Sequence, residues 1–141
     1  MGHILVGVDG SAESNRAARL AKSLACATGR GLVFTHVLPM SGSLPEPDHP
    51  TALWIWQREH ELRARQELEA LFQGESGWGS EPEIELLEGS PAQVLAERAS
   101  ENDVDLVVVG HRERNPLARA LLGSVADRLV QISAKPVLVV P

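Results

Sequence analysis

The amino-acid sequence predicts an α/β domain built on a single open parallel five-stranded sheet with helices on both faces. Three observations carry the prediction. Short runs rich in Val, Ile and Leu recur without polar and apolar alternation, at His3–Val8, Leu106–Val109 and Pro136–Val140, as in strands covered on both faces. Segments of helical periodicity lie between the strand candidates, and that order implies right-handed crossovers into a parallel sheet. The length of 141 residues suits one core, so residues 1–141 are read as a single domain.

The elements follow in order. After the first strand, His3–Val8, Ser11 caps a helix to about Thr28, where Ala17, Ala18, Ala21, Leu24 and Ala25 share a face and Gly29 ends the helix. Cys26 lies in this Ala-rich stretch and reads as a small buried hydrophobe. Gly31–Val37 is the second strand. The next helix spans about Thr51–Phe72, with Leu62, Leu68, Leu71 and Phe72 on one face beside many charges. Glu83–Glu88 is a third strand, polar enough for a sheet edge. Pro91 suits a first helical turn, followed by a buried stripe of Val94, Leu95 and Ala99. The last helix runs from Ser124 to about Ile132, between the fourth and fifth strands. Pro39–Pro50 and Gly74–Pro82 read as loops.

Composition narrows the function. With 43% apolar and 23% charged residues the chain reads as an ordinary globular protein, and a net charge of −6 argues against a broad surface for nucleic acid or anionic membrane. Any anion site must be local. A single cysteine excludes a disulfide framework and a cysteine-based zinc site. The apolar stretch at the N-terminus is too short for a signal peptide, and no segment approaches a spanning helix, so the expectation is a cytoplasmic protein. Trp54, Trp56 and Trp78 read as lids or packing anchors, because no basic groove surrounds them.

Ligands of open parallel sheets bind beyond the carboxyl ends of the strands, where strand order reverses. The first and fourth strands are the candidates to flank that point, and their ends carry Asp9-Gly10-Ser11 and Gly110. Asp9 suits hydrogen bonds to a ribose or base, or equally a brace for the turn into the first helix. Gly123-Ser124 opens a helix whose N–H groups and positive dipole end suit an anion; the plainer role of the pair is a turn and a cap. The chain has no G-x-x-x-x-G-K-[ST] and no G-x-G-x-x-G after the first strand, hence no P-loop or dinucleotide fingerprint. It has no H-E-x-x-H for a metal and no G-x-S-x-G nucleophile elbow, and His36 reads as a packed histidine. No catalytic residue and no metal ligand is assigned.

Val-Gly-Val-Asp-Gly-Ser at 6–11, Thr-His-Val at 35–37, Gly-Ser-Pro at 89–91, residues 105–110, Gly-Ser-Val at 123–125 and Lys-Pro-Val-Leu-Val-Val at 135–140 form an ordered set over nearly the whole chain. That set resembles the universal stress protein family. The resemblance implies the sheet order 3-2-1-4-5 of an adenine nucleotide alpha hydrolase-like fold and a homodimer paired through Val137, Leu138, Val139 and Val140. It also implies ATP across the switch point; magnesium is the expected companion ion, and AMP or cyclic AMP, of lower charge, is the variant that Glu113 in the following loop favours. Enzymatic activity would be weak ATP hydrolysis at most, since the H-I-G-H type motif of nucleotidyl transferases is absent.

In the nucleotide-binding branch the motif is Gly, two residues, Gly, nine residues, then Gly with Ser or Thr. Gly110 matches the first position and Gly123-Ser124 the last, while Glu113 replaces the middle glycine. By the same likeness Asp9 meets the ribose or adenine, Val37 offers backbone to the adenine edge, and Val109 with Gly110 borders the ribose and first phosphates. Gly123, Ser124 and Val125 hold the outer phosphates. Gly7, Val8, His111, Arg112 and Glu113 complete the expected nucleotide-binding set. A carboxylate about 4 Å from a phosphate costs roughly 1 to 4 kcal/mol depending on screening. Arg112 and Arg114 flank Glu113, and Arg119 follows, so the loop keeps a net positive charge. The rival expectation is a branch that binds no nucleotide and acts through protein surfaces, its partner unidentified.

Overall fold

The computed structural model describes residues 2–38, 50–71, 82–111 and 124–141. The elements alternate as β1 (His3–Val8), α1 (Ala12–Thr28), β2 (Gly31–Leu38), α2 (Pro50–Leu71), β3 (Glu83–Glu88), α3 (Pro91–Ala99), β4 (Val104–Gly110), α4 (Ser124–Ile132) and β5 (Val137–Val140). All strands pair in parallel, in the order β3-β2-β1-β4-β5. The polar strand β3 is therefore at an edge, where its glutamates reach water.

Side-chain alternation along the strands splits the core in two. Ile4, Val6, Phe34 and Val108 face α1 and Leu68 of α2, whereas Leu5, Val33, Val107 and Val109 face Ala92, Leu95 and Ala99 of α3 and Ala126 and Leu129 of α4. Burying each of the larger aliphatic side chains contributes about 1.5–3 kcal/mol. The α1 stripe consists of alanines, Ala17, Ala18, Ala21 and Ala25, so this helix sits close to the sheet. Ser11 caps it, accepting from Ser14 N, and Gly29 stops it with φ 72°.

Three expectations are corrected. Cys26 is exposed, because it follows Ala25 on the outer side of the helix. Leu62 is 57% exposed while Leu68 is 7% exposed, so the turns of α2 do not all face the sheet. The side chains of Leu71 and Phe72 lie outside the described residues. Of the two roles expected for Trp54, lid or packing anchor, its 61% exposure removes the anchor; Arg58 lies over its ring at 5.9 Å. Trp56 is half-buried beside His60, and Trp78 lies outside the described residues.

At the amino end of the sheet, Arg98 ties α3 to its surroundings. Its side chain is 10% exposed, and its guanidinium meets Glu85 at 3.0 Å, Asp103 at 2.9 Å and Glu101 at 3.1 Å. The hydrogen bond from Arg98 lowers the Asp103 carboxyl below its ordinary value. Arg30, bonded to Asp105 at 2.9 Å, does the same to Asp105. Thr35 is fully buried in β2, and its Oγ1 has no hydrogen-bond partner among the described residues.

Candidate functional site

Because every strand pair is parallel, the carboxyl ends of β1, β2, β4 and β5 share one edge of the sheet. β1 and β4 are neighbours there. The chain leaving β1 enters α1 on one face, and the chain after β4 arrives at α4 on the other. A crevice opens where adjacent connections diverge in this way, and it is the ligand position of open α/β sheets.

The turn after β1 is tightly organised. Asp9 Oδ1 accepts from Ser11 N at 2.9 Å and from Ser11 Oγ at 2.5 Å. The Asp9 N–H donates to Ser14 Oγ at 3.0 Å, and Ser14 N donates to Ser11 Oγ at 3.2 Å. Asp9 thus braces the turn while its carboxylate stays exposed at the crevice. Gly10 takes φ 82°, a conformation side chains rarely adopt. Ser14, 3% exposed, was not among the residues singled out from sequence; its only signal is the three-residue spacing from Ser11.

Gly110 ends β4 hard against the first turn of α1. A Cβ there would lie 2.6 Å from Glu13 C and 2.7 Å from Ser14 N. His111 continues the edge by donating its backbone N–H to Val140 O at 2.6 Å, and Arg16 Nε donates to Pro141 O at 2.8 Å. These contacts bring Asp9, Ser11, Ser14, Gly110 and the end of β5 into one unit.

The remaining predicted residues divide. Gly7 faces inward, where an added Cβ would meet Leu95 Cδ1 at 2.9 Å and Val109 Cγ1 at 3.2 Å. The Val109 side chain is buried in the α3–α4 layer, with Val37 partly buried against it, and Val8 packs on the α1 layer. From these three valines a ligand could reach only backbone or side-chain margins. Ser124 is the first residue of α4 rather than its cap, and it and Val125 are exposed. Asp127 lies in the first turn of α4 and accepts from Gln131, so an acidic side chain already complements that positive helix end. Arg112, Glu113, Arg114, Arg119 and Gly123 lie outside the described residues. Among the described residues no group of three or more His, Cys, Asp or Glu side chains could hold a metal ion, and no helix is long and apolar enough to cross a membrane.

The model of the universal stress protein family matches residues 1–141. The chain belongs to this family. It is 34% identical over 97% of its length to a universal stress protein of Methanocaldococcus jannaschii, covering 80% of that protein. It is similar to a universal stress protein solved in complex with cAMP, at 28% identity and TM-score 0.66, with 99% of this chain and 95% of that one covered. It is also similar to the universal stress protein from Archaeoglobus fulgidus in complex with dAMP, at 25% identity and TM-score 0.67, with 100% and 98% covered. Membership accounts for the strand order.

Proposed function

We propose that this universal stress protein is a cytoplasmic, homodimeric regulatory protein that binds an adenine nucleotide in the crevice between β1 and β4. The observation that carries the reading is the pairing of the Asp9 turn with Gly110 at the switch point, the position where α/β sheets hold ligands. Relatives that carry cAMP and dAMP support an adenine nucleotide as the ligand class. ATP is the leading ligand, with magnesium alongside its phosphates; AMP and cyclic AMP are the alternatives. In this reading Asp9 meets the nucleoside, Gly110 lets backbone approach it, and Gly123, Ser124 and Val125 receive phosphates at the start of α4. Any chemistry at the site would be weak ATP hydrolysis at most.

The apolar strand β5 stands at the sheet edge, and an apolar edge favours pairing with a second copy. Light scattering at micromolar concentration should give the dimer mass; a monomer alone would remove that part of the proposal. For the site, Gly123→Asp puts a carboxylate where phosphates are expected and should abolish nucleotide binding in a calorimetric titration. Unchanged affinity would refute the assignment. A second reading, action through protein surfaces without nucleotide, draws on Glu113 in place of the motif glycine.

A further inference from the structure

α2 delivers a carboxylate to the same turn. Leu68 locks this part of α2 into the cluster of Ile4, Val6, Ala17, Ala21 and Phe34, and Glu67 beside it reaches the end of β1. A Cβ placed on Gly10 would lie 3.3 Å from Glu67 Oε2. Glu67 is exposed, so a ligand in the crevice can reach it. Asp9 and Glu67 both present carboxylate oxygens at this turn, while the nearby Arg16 is engaged by Pro141 O and Glu13. Such a surface repels phosphates and attracts hydroxyl donors. α4, whose start would take the phosphates, packs on the opposite face of the sheet from α1 and α2, so phosphates held there lie across the sheet from Glu67.

We infer that Glu67 accepts hydrogen bonds from the sugar hydroxyls of the bound nucleotide, so that the site ranks nucleotides with free 2′ and 3′ hydroxyls above deoxy and 3′,5′-cyclic forms. This assignment rests on the nucleotide-binding reading. A hydrogen bond to a charged acceptor corresponds to about tenfold in affinity.

The test is calorimetric titration of the whole chain and of Glu67→Ala with AMP, 2′-deoxy-AMP, 3′-deoxy-AMP and cyclic AMP. The wild type should bind AMP about tenfold more tightly than the other three. Glu67→Ala should weaken AMP the most, by about tenfold or more, and should abolish the preference for AMP over the other three. Thermal unfolding of the variant, expected at the wild-type temperature because Glu67 is exposed, separates a lost contact from a lost fold. Equal wild-type affinities, or a preference that survives in Glu67→Ala, would overturn the assignment while leaving nucleotide binding standing. No binding of any of the four to the wild type would overturn the nucleotide reading and this assignment together.

Discussion

Gly110→Ala sets a methyl group 2.6 Å from Glu13 C, 2.7 Å from Ser14 N and 2.8 Å from Glu13 O. All three atoms are backbone in the first turn of α1, so no side-chain rotation relieves the clash. The helix cannot simply lift, because Ala17, Ala18 and Ala21 are fully buried against the sheet. Inserting a methyl into packed structure costs about 1–3 kcal/mol, and rigid obstacles put this case at the upper end. The reduced freedom of the unfolded chain offsets roughly 0.4–1 kcal/mol, leaving a net loss of about 2 kcal/mol. In a domain of this size that lowers Tm by about 8 °C. Urea unfolding followed by tryptophan fluorescence, without nucleotide, should show the midpoint falling by about 1 M at an unchanged slope of roughly 2 kcal/mol/M. A variant within about 0.5 kcal/mol of wild type would refute the claim that Gly110 is held small by α1.

The amino end of the sheet and its interior supply two more predictions. Thr35→Val removes a fully buried hydroxyl that has no partner among the described residues and should raise stability by about 1 kcal/mol in the same urea assay; a loss of that size would show that the hydroxyl is satisfied. Arg98→Ala should cost about 2 kcal/mol at neutral pH, less than a fully buried pair, because Glu85, Glu101 and Asp103 are 26%, 61% and 42% exposed. The pH dependence follows from Asp103, whose carboxyl is held below its ordinary 3.8 by Arg98. A depressed carboxyl stabilises the fold above its unfolded value and loses that contribution as pH falls through the folded one. Wild-type stability should therefore drop as pH falls below 3.8, and the drop should be shallower in Arg98→Ala. Identical slopes would refute the role given to Arg98.

The sequence made the sheet legible because burial on both faces leaves unbroken apolar runs, and Ser11 and Gly29 punctuate α1 by their own backbone chemistry. Strand order came from the resemblance rather than from periodicity, which says nothing about which strands are neighbours. Asp9 and Gly110 were visible as residues at strand ends. The pressure of α1 backbone on Gly110 was not, since spacing along one strand carries no record of how closely a helix lies above it. Cys26 and Leu62 were misjudged for a related reason: composition placed them in apolar surroundings, while the rotation of each helix on the sheet turned them outward. Glu67 had no sequence signal, being one of many charges on α2 until the burial of Leu68 fixed which way that turn faces.

The central claim is that the crevice between β1 and β4 holds an adenine nucleotide. Its most direct test is calorimetric titration of the purified protein, stripped of carried-over nucleotide, with ATP, AMP and cyclic AMP in magnesium buffer. Saturable binding of ATP with a Kd on the order of micromolar, about −8 kcal/mol, is the predicted result. Tighter binding of AMP or cyclic AMP would keep the site and assign Glu113 to selection against outer phosphates. No heat with any of the three, together with no thermal shift, would contradict the claim.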